Sequence, residues 1–419
     1  MFASSASGSM LDKALAVASP ENIYYYGSKT MKKQSMPTVQ RTNFIQALAS
    51  TDGGQSVITI SPDAGVSHVI LGLQLPAVGA EAGLTYNGMA LPKAWLYNCI
   101  DYVQWRYGSS SLFQKSGQQL MIEAIATAGS QSEANSLLDL AGNALYTPAD
   151  FAGDKLFAYG VIPLPHCGAA SGTEVPNPFP SELLNAPIVI TVALKRMVDI
   201  FSVAPPLTTQ VLPTRFSKAY LQVRQINPID RGMLMNISPS VSYAFPCTFF
   251  QQANAVQLNN TNAPQEVVLT GFRSGSCKGV HIWVVDTSDD VNVNAFVLPR
   301  DLQLSYAGNV IHKYDGVSSQ LLDTLYTDVP SYFNNSILTG AGGEWTATDT
   351  ISSWVHFPLS QRFEQLSAEF TTVSGLGVAN GVMNLTLTTP VASSNYRLYY
   401  VPYYDCALMF NNGNCEYVF

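Results

Sequence analysis

YVQWRYGSSSLFQKSG, Tyr102 to Gly117, decides how this chain is read, because DLQLSYAGNVIHKYDG, Asp301 to Gly316, carries the same pattern again. Each copy runs as an alternating stretch, a small polar turn, and a second short segment that closes on a lysine and a glycine. Val103, Trp105 and Tyr107 share one face in the first copy, and Leu302, Leu304 and Tyr306 share one in the second. Side chains on a strand alternate between faces, so each copy reads as a hairpin with one apolar side. The same offset, 199, separates Tyr107 from Tyr306 and Gly117 from Gly316.

Flanking segments repeat in the same order. VSHVILGLQLP (Val66 to Pro76) matches KGVHIWVVDTS (Lys278 to Ser288), aligning His68 with His281 at an offset of 213. AYGVIPLP (Ala158 to Pro165) matches SWVHFPLS (Ser353 to Ser360), aligning Pro163 with Pro358 at 195, and APIVITVAL matches GVMNLTLTT, aligning Thr191 with Thr386, also at 195. Four blocks in one order predict a duplicated domain. The period is far beyond the roughly 20 to 50 residues of a solenoid unit.

The 419 residues therefore divide into an N-terminal arm (1–24), a first domain (25–224), a junction (225–239) and a second domain (240–419). Each half is long enough to bury about 70% of its unfolded surface in its own core. Strand candidates in the first half include Ser56 to Ile60, His68 to Leu75, Phe157 to Pro163, Pro187 to Leu194 and Ala219 to Arg224. The second half offers Val267 to Phe272, His281 to Val285, Trp354 to Pro358, Met383 to Leu387 and Tyr396 to Val401. Many short strands between Gly, Pro and Asn turns, with few helices, predict an all-β chain of two sandwich or jelly-roll domains. Three long interruptions, Gly117 to Leu156, His166 to Ala186 and Val317 to Ser352, read as functional or interface loops; the last carries a Gly-rich run at Gly340 to Gly343. Within the first, Ser130 to Asn143 reads as a short helix that Gly142 stops. In the arm, Ser9 caps a short helix ended by Pro20; its apolar side docks on its own domain, a neighbouring subunit or a membrane.

Charged residues make up only 12% of the chain, about half of the usual ~25%, and the polar surface is built instead from Ser, Thr, Asn, Gln and Gly. Such a surface can be buried against other proteins at little cost in desolvated charge. A net charge of −8 without a long basic run disfavours nucleic-acid binding; the strongest basic cluster is Lys29, Lys32, Lys33 and Arg41. The six cysteines (Cys99, Cys167, Cys247, Cys277, Cys406 and Cys415) show no metal spacing and read as free thiols, with only Cys406 and Cys415 close enough for a local hairpin bridge. The opening residues are small and polar with no basic n-region, so no signal peptide is expected, and no apolar run reaches the ~18 residues of a membrane span.

At AWLYNCIDYVQWRYGSSSLFQKSG (Ala94 to Gly117), FAYGVIPLP with LLNAPIVITVALKR (Leu183 to Arg196), and VVLTGFRSGSCKGVHIWVVDTS (Val267 to Ser288), the chain resembles the double jelly-roll major capsid proteins of large icosahedral DNA viruses. It departs from that family in having Gly-Ser-Ser-Ser at the hairpin turn, and His-Cys-Gly after Pro165. The resemblance implies two tandem eight-stranded jelly rolls with long loop insertions, and a homotrimer of pseudo-hexagonal outline that tiles a virion shell assembled inside the host cell. It further implies minor capsid and penton proteins as partners, an inner membrane reached through the arm, no direct contact with nucleic acid, no enzyme activity and no cofactor.

A search for catalytic chemistry agrees with a structural role. The five histidines (His68, His166, His281, His312 and His356) are scattered and form no HxH or HExxH, and no nucleophile elbow or phosphate loop occurs. Catalytic, cofactor and metal residues are therefore read as none. Asp286 to Asn294 is carboxylate-rich but lacks the glycine and distal glutamate of a calcium loop. Sequons stand at Asn236, Asn259, Asn334 and Asn384. The aromatic runs at Tyr24 to Tyr26 and Tyr396 to Tyr404 read as strand and interface packing. The alternative to a capsid subunit is a tandem β-sandwich that binds glycans or a receptor, with these runs as stacking platforms.

Overall fold

Both repeated hairpins form in the computed structural model, which describes residues 39–49, 53–62, 65–84, 89–90, 94–127, 131–142, 157–165, 179–200, 202–203, 211–228, 243–287, 296–297, 299–314, 355–360, 375–378 and 381–419. The arm, Tyr24 to Tyr26, Lys29, Lys32, Lys33, His166, Cys167, the Gly-rich run at Gly340 and the sequons at Asn236 and Asn334 lie outside these residues.

The first half contributes eight main strands: β1 (Val39–Ala47), β2 (Gln55–Ile60), β3 (Gly65–Gln74), β4 (Ile100–Tyr107), β5 (Ser110–Ser116), β6 (Phe157–Ile162), β7 (Ile188–Leu194) and β8 (Lys218–Pro228). They form two antiparallel sheets, in the orders β1-β8-β3-β6 and β2-β7-β4-β5. The second half repeats the set as β9 (Tyr243–Phe250), β10 (Gln265–Leu269), β11 (Ser276–Asp286), β12 (Arg300–Tyr306), β13 (Asn309–Tyr314), β14 (Val355–Pro358), β15 (Met383–Thr388) and β16 (Tyr396–Asn411). Its sheets run β9-β16-β11-β14 and β10-β15-β12-β13, the first orders shifted by eight strands. These are two eight-stranded jelly rolls in tandem. A last strand, β17 (Asn414–Val418), folds back on β16.

All four aligned pairs fall on equivalent strands or strand ends: His68 on β3 and His281 on β11, Pro163 after β6 and Pro358 closing β14, Thr191 on β7 and Thr386 on β15, and the hairpins β4–β5 and β12–β13. The hairpins even share a register break, between Trp105 and Arg106 in one and between Leu304 and Ser305 in the other. A bulge inserts an unpaired residue and bends its strand. Conserving its place in both copies keeps the same corner on each sandwich.

Alternation builds both cores. In β2, Ile58 and Ile60 are buried while Val57 is 58% exposed. Val69, Leu71 and Leu73 of β3 face Val103 and Trp105 of β4 and Ile188, Ile190 and Val192 of β7 across one interior; Val280, Ile282, Val284, Leu304, Leu385 and Leu398 fill the other. Trp105 anchors the first core, edge-on to Phe179 at 5.9 Å.

Among the described residues, local chemistry places three α-helices. The buried turn α1 (Trp95–Cys99) is tied down by the Asn98 side chain, which donates to the Ile200 carbonyl at 2.9 Å. Helix α2 (Gly117–Ala126) begins at the glycine that ends the repeated stretch; a Cβ there would stand 1.9 Å from the Tyr97 carbonyl oxygen, so only glycine allows α1 and α2 to meet. Helix α3 (Gln131–Leu140) follows, inside the span expected from sequence.

Candidate functional site

Gln118 and Gln119 of α2 reach out of its own sandwich into the second. Gln119 and Glu123 are one turn apart and share a face. Gln119 donates through Nε2 to Glu123 Oε1 at 2.7 Å and to the Gln251 carbonyl at 2.8 Å, while its Oε1 accepts from the Ala253 amide at 3.0 Å. Beside it, Gln118 Oε1 accepts from the Trp283 indole N–H at 2.8 Å. Lys115, at the end of β5, forms a buried ion pair with Glu123 and sits 4.7 Å from the Phe113 ring centroid and 5.8 Å from that of Phe250. Burial raises the Glu123 carboxyl above its usual range, although Lys115 and Gln119 pull it the other way.

Phe250 leads into the second half of this seam. Its ring stacks on Tyr403 at 5.2 Å and on His281 at 5.9 Å. His281 stands opposite His356 in the β11–β14 ladder, with ring centroids 4.8 Å apart, and His356 Nε2 shares a 2.8 Å hydrogen bond with the Tyr403 hydroxyl. His312 of β13 completes the group, its ring 5.8 Å from Phe357 and its Nε2 against the Pro358 carbonyl. Burial holds His281 down at about 3; His356 is also held well below its usual value, by burial first and then by its two histidine neighbours. Lys278 and Asp405 pair at 3.0 Å, each only 2% exposed, and burial lifts the Asp405 carboxyl to about 6 against the pull of Lys278.

The C-terminal hairpin closes the seam from the other end. Asn412 and Gly413 both have positive φ, the signature of the two-residue turn that joins twisted strands. This turn reaches into the first sandwich: the Gly413 carbonyl accepts from the Asn185 amide at 3.0 Å and from the Tyr107 hydroxyl, and the Asn185 side chain donates to the Asn412 carbonyl at 2.9 Å. Tyr417 donates its hydroxyl to the Pro165 carbonyl, and Phe410 packs on Phe179 at 5.6 Å. The two jelly rolls are thus welded by directional bonds together with aromatic packing across the joint. Chemically the joint is suited to fixing one geometry rather than to admitting a substrate.

The structure gathers residues that lay apart in sequence. His281 and His356 meet at the seam, with His312 on the neighbouring sheet packed against Phe357, whereas His68 stays half-buried in the first sheet next to Ser67. Tyr396 to Tyr404 packs as expected, with Tyr400, Tyr403 and Tyr404 buried in β16. The described cysteines are free thiols, as the sequence reading has them, and the local Cys406–Cys415 bridge that spacing left open does not form. The two-residue turn sets Cys415 opposite Phe410, while Cys406 faces Cys247 across the β9–β16 ladder. Of the carboxylate run, Asp286 ends β11 and the segment beyond 287 is outside the described residues. Asn259 is on an exposed turn; Asn384 lies in β15 and donates to Glu266 at 2.7 Å. Among the described residues no three His, Cys, Asp or Glu side chains converge as a metal ion would need.

Facing outward, the β10-β15-β12-β13 sheet carries a row in register: Val268, Asn384, Ser305 and Val310. Val268 is 50% exposed and Val310 54%, with Ile311 and Val382 exposed nearby.

No family profile and no curated protein matches this sequence. Solved structures do. VP54 of PBCV-1, whose crystal structure was fitted into a reconstruction of the virophage Sputnik, superposes with a TM-score of 0.60 at 11% identity, covering 92% of this chain and 98% of its own. The structure of the Sputnik virophage gives 0.55 at 12% identity, with coverages of 93% and 92%. The Faustovirus major capsid protein gives 0.51 at 9% identity, with coverages of 90% and 92%. Over nearly its whole length, this chain has the double jelly-roll fold.

Proposed function

We propose that the protein is the major capsid protein of an icosahedral double-stranded DNA virus, a structural subunit that trimerises and tiles the virion shell. The observation that carries this reading is the weld: two sandwiches of one strand order, fixed side by side within a single chain. Three such subunits around an axis present six similar blocks, and a near-hexagonal tile covers a surface without gaps. The full-length likeness to structures described as capsid and major capsid proteins supports the reading, as does a surface poor in charge. The proposed organisation has an arm at 1–24, jelly rolls at 25–224 and 240–419, and a junction at 225–239. Minor capsid and penton proteins would meet the tile at its edges, and the arm would face the interior, toward an inner membrane. The subunit works by burying lateral surface many times over, weak at each contact and strong in sum.

Light scattering of the purified protein, with negative-stain images of the same peak, tests this. A stable particle near three times 45.3 kDa with a hexagonal outline is expected. A monomer or dimer that binds glycans overturns it. Deleting residues 1–24 should impair shell formation more than trimer folding.

A further inference from the structure

We infer that Cys247 and Cys406 form a disulfide site, a cross-strand dithiol that a small disulfide oxidant closes while the second jelly roll is folding. The two residues are directly opposed in the β9–β16 ladder, and their sulfurs lie 3.4 Å apart. Directly opposed residues of antiparallel strands have Cα atoms about 4.5–5.5 Å apart, inside the ~4.4–6.8 Å that a disulfide spans. A small turn of the side chains therefore brings the sulfurs to bonding distance without moving the backbone. Cys277 and Cys415 take other neighbours: Cys277 is set against Tyr404 in its ladder and contacts the Gly279 carbonyl, and Cys415 is opposite Phe410.

Access is a matter of timing. Both residues are completely buried, and β16 is inserted between β9 and β11, so the pair is sealed once that strand docks. Before docking, one cysteine thiolate attacks a sulfur of glutathione disulfide and releases one glutathione thiolate, leaving a mixed disulfide. The second cysteine thiolate attacks the protein sulfur of that mixed disulfide, forming the Cys247–Cys406 bond and releasing the second glutathione thiolate. The two protons lost by the cysteines reside on the two glutathiones, and the oxidant is reduced by the two electrons that the pair gives up. After docking, burial pushes the Cys406 thiol well above its usual range, which suppresses the reactive thiolate. The folded subunit then keeps the redox state in which it folded.

The test refolds the full chain from urea with either glutathione disulfide or dithiothreitol, then counts thiols in denaturant and maps peptides. The oxidised product is expected to show two fewer thiols than the six of the sequence, a peptide linking Cys247 to Cys406, and a higher denaturation midpoint. Native reduced protein given the same oxidant should keep Cys247 and Cys406 as thiols. Refolding with no bridge, a bridge between other cysteines, or equal midpoints would overturn the inference, as would ready oxidation of the native form. Cys247→Ser should lose the linked peptide; if that variant does not fold, the wild-type map decides alone.

Discussion

His281 lies directly across its ladder from His356, ring against ring at 4.8 Å, in a joint that water does not reach. Protonating either ring there puts a charge among buried aromatic groups, with the other histidine and the Tyr403 hydroxyl as the titratable neighbours and His312 also acting on His356. Both histidines titrate lower in the folded chain than the ~6.5 of an unfolded one, so acid favours unfolding: stability is complete above about pH 6.5 and falls below it. For His281 the loss at pH 5 is about 2 kcal/mol, with His356 adding in the same direction. Asp405, lifted to about 6, acts oppositely and recovers part of this loss between about pH 6 and 4, and Glu123, also raised by burial, acts in the same sense as Asp405. Thermal midpoints measured from pH 8 to 5 should fall, and His281→Phe, which keeps a flat ring against Phe250, should flatten the profile. A flat wild-type profile would remove the histidines from the account.

Breaking the Lys115–Glu123 pair should cost more than deleting it. Lys115→Met leaves a buried carboxylate without its cation and is expected to destabilise by about 3–5 kcal/mol, whereas Lys115→Met with Glu123→Leu should recover much of that. Urea unfolding of the two variants reads the difference.

Gly413→Ala introduces a side chain where φ is +76° and where a Cβ would lie 2.1 Å from Asn185. A cost of about 1–3 kcal/mol is expected, with the Asn411 to Asn414 turn losing its grip on the first sandwich. Faster amide exchange at Asn185, whose N–H is held by the Gly413 carbonyl, would report that loss directly.

Val268→Glu with Val310→Glu places two charges on the outer face of a sheet. Both sites are half-exposed, so stability should change by about 0.5 kcal/mol or less at each. Under the proposed function, assembly into shells should fall sharply if this face meets another subunit. Thermal melting and light scattering of one preparation separate the two effects.

The hairpins, their turns and the equivalence of the halves were legible because period-two alternation is local: Val103, Trp105 and Tyr107 announce their face without reference to anything distant. Helix α2 was equally local and was overlooked, since the stretch after Gly117 reads first as an interruption. Gln119 and Glu123 at helical spacing, within a run from Gln118 to Ala128 free of Gly and Pro, were the available signal. The hairpin register that rules out Cys406–Cys415 was also available in the Asn412-Gly413 dipeptide. The meetings of His281 with His356 and of Cys247 with Cys406 were not, because they depend on which distant strands become neighbours and in what register.

A molecule made of two alike blocks faces a problem of mistaken identity: the first block of one copy could mate with the wrong block of another, and chains would tangle into endless swaps. An oily joint would do little to prevent this, since grease fits grease in many orientations. The Gln118–Trp283 and Gln119–Gln251 bonds work as a keyed lock, because at the 213-residue offset the counterpart of Trp283 is Ile70, whose side chain has no N–H to offer Gln118. Newly made chains would then each close on themselves before meeting their neighbours.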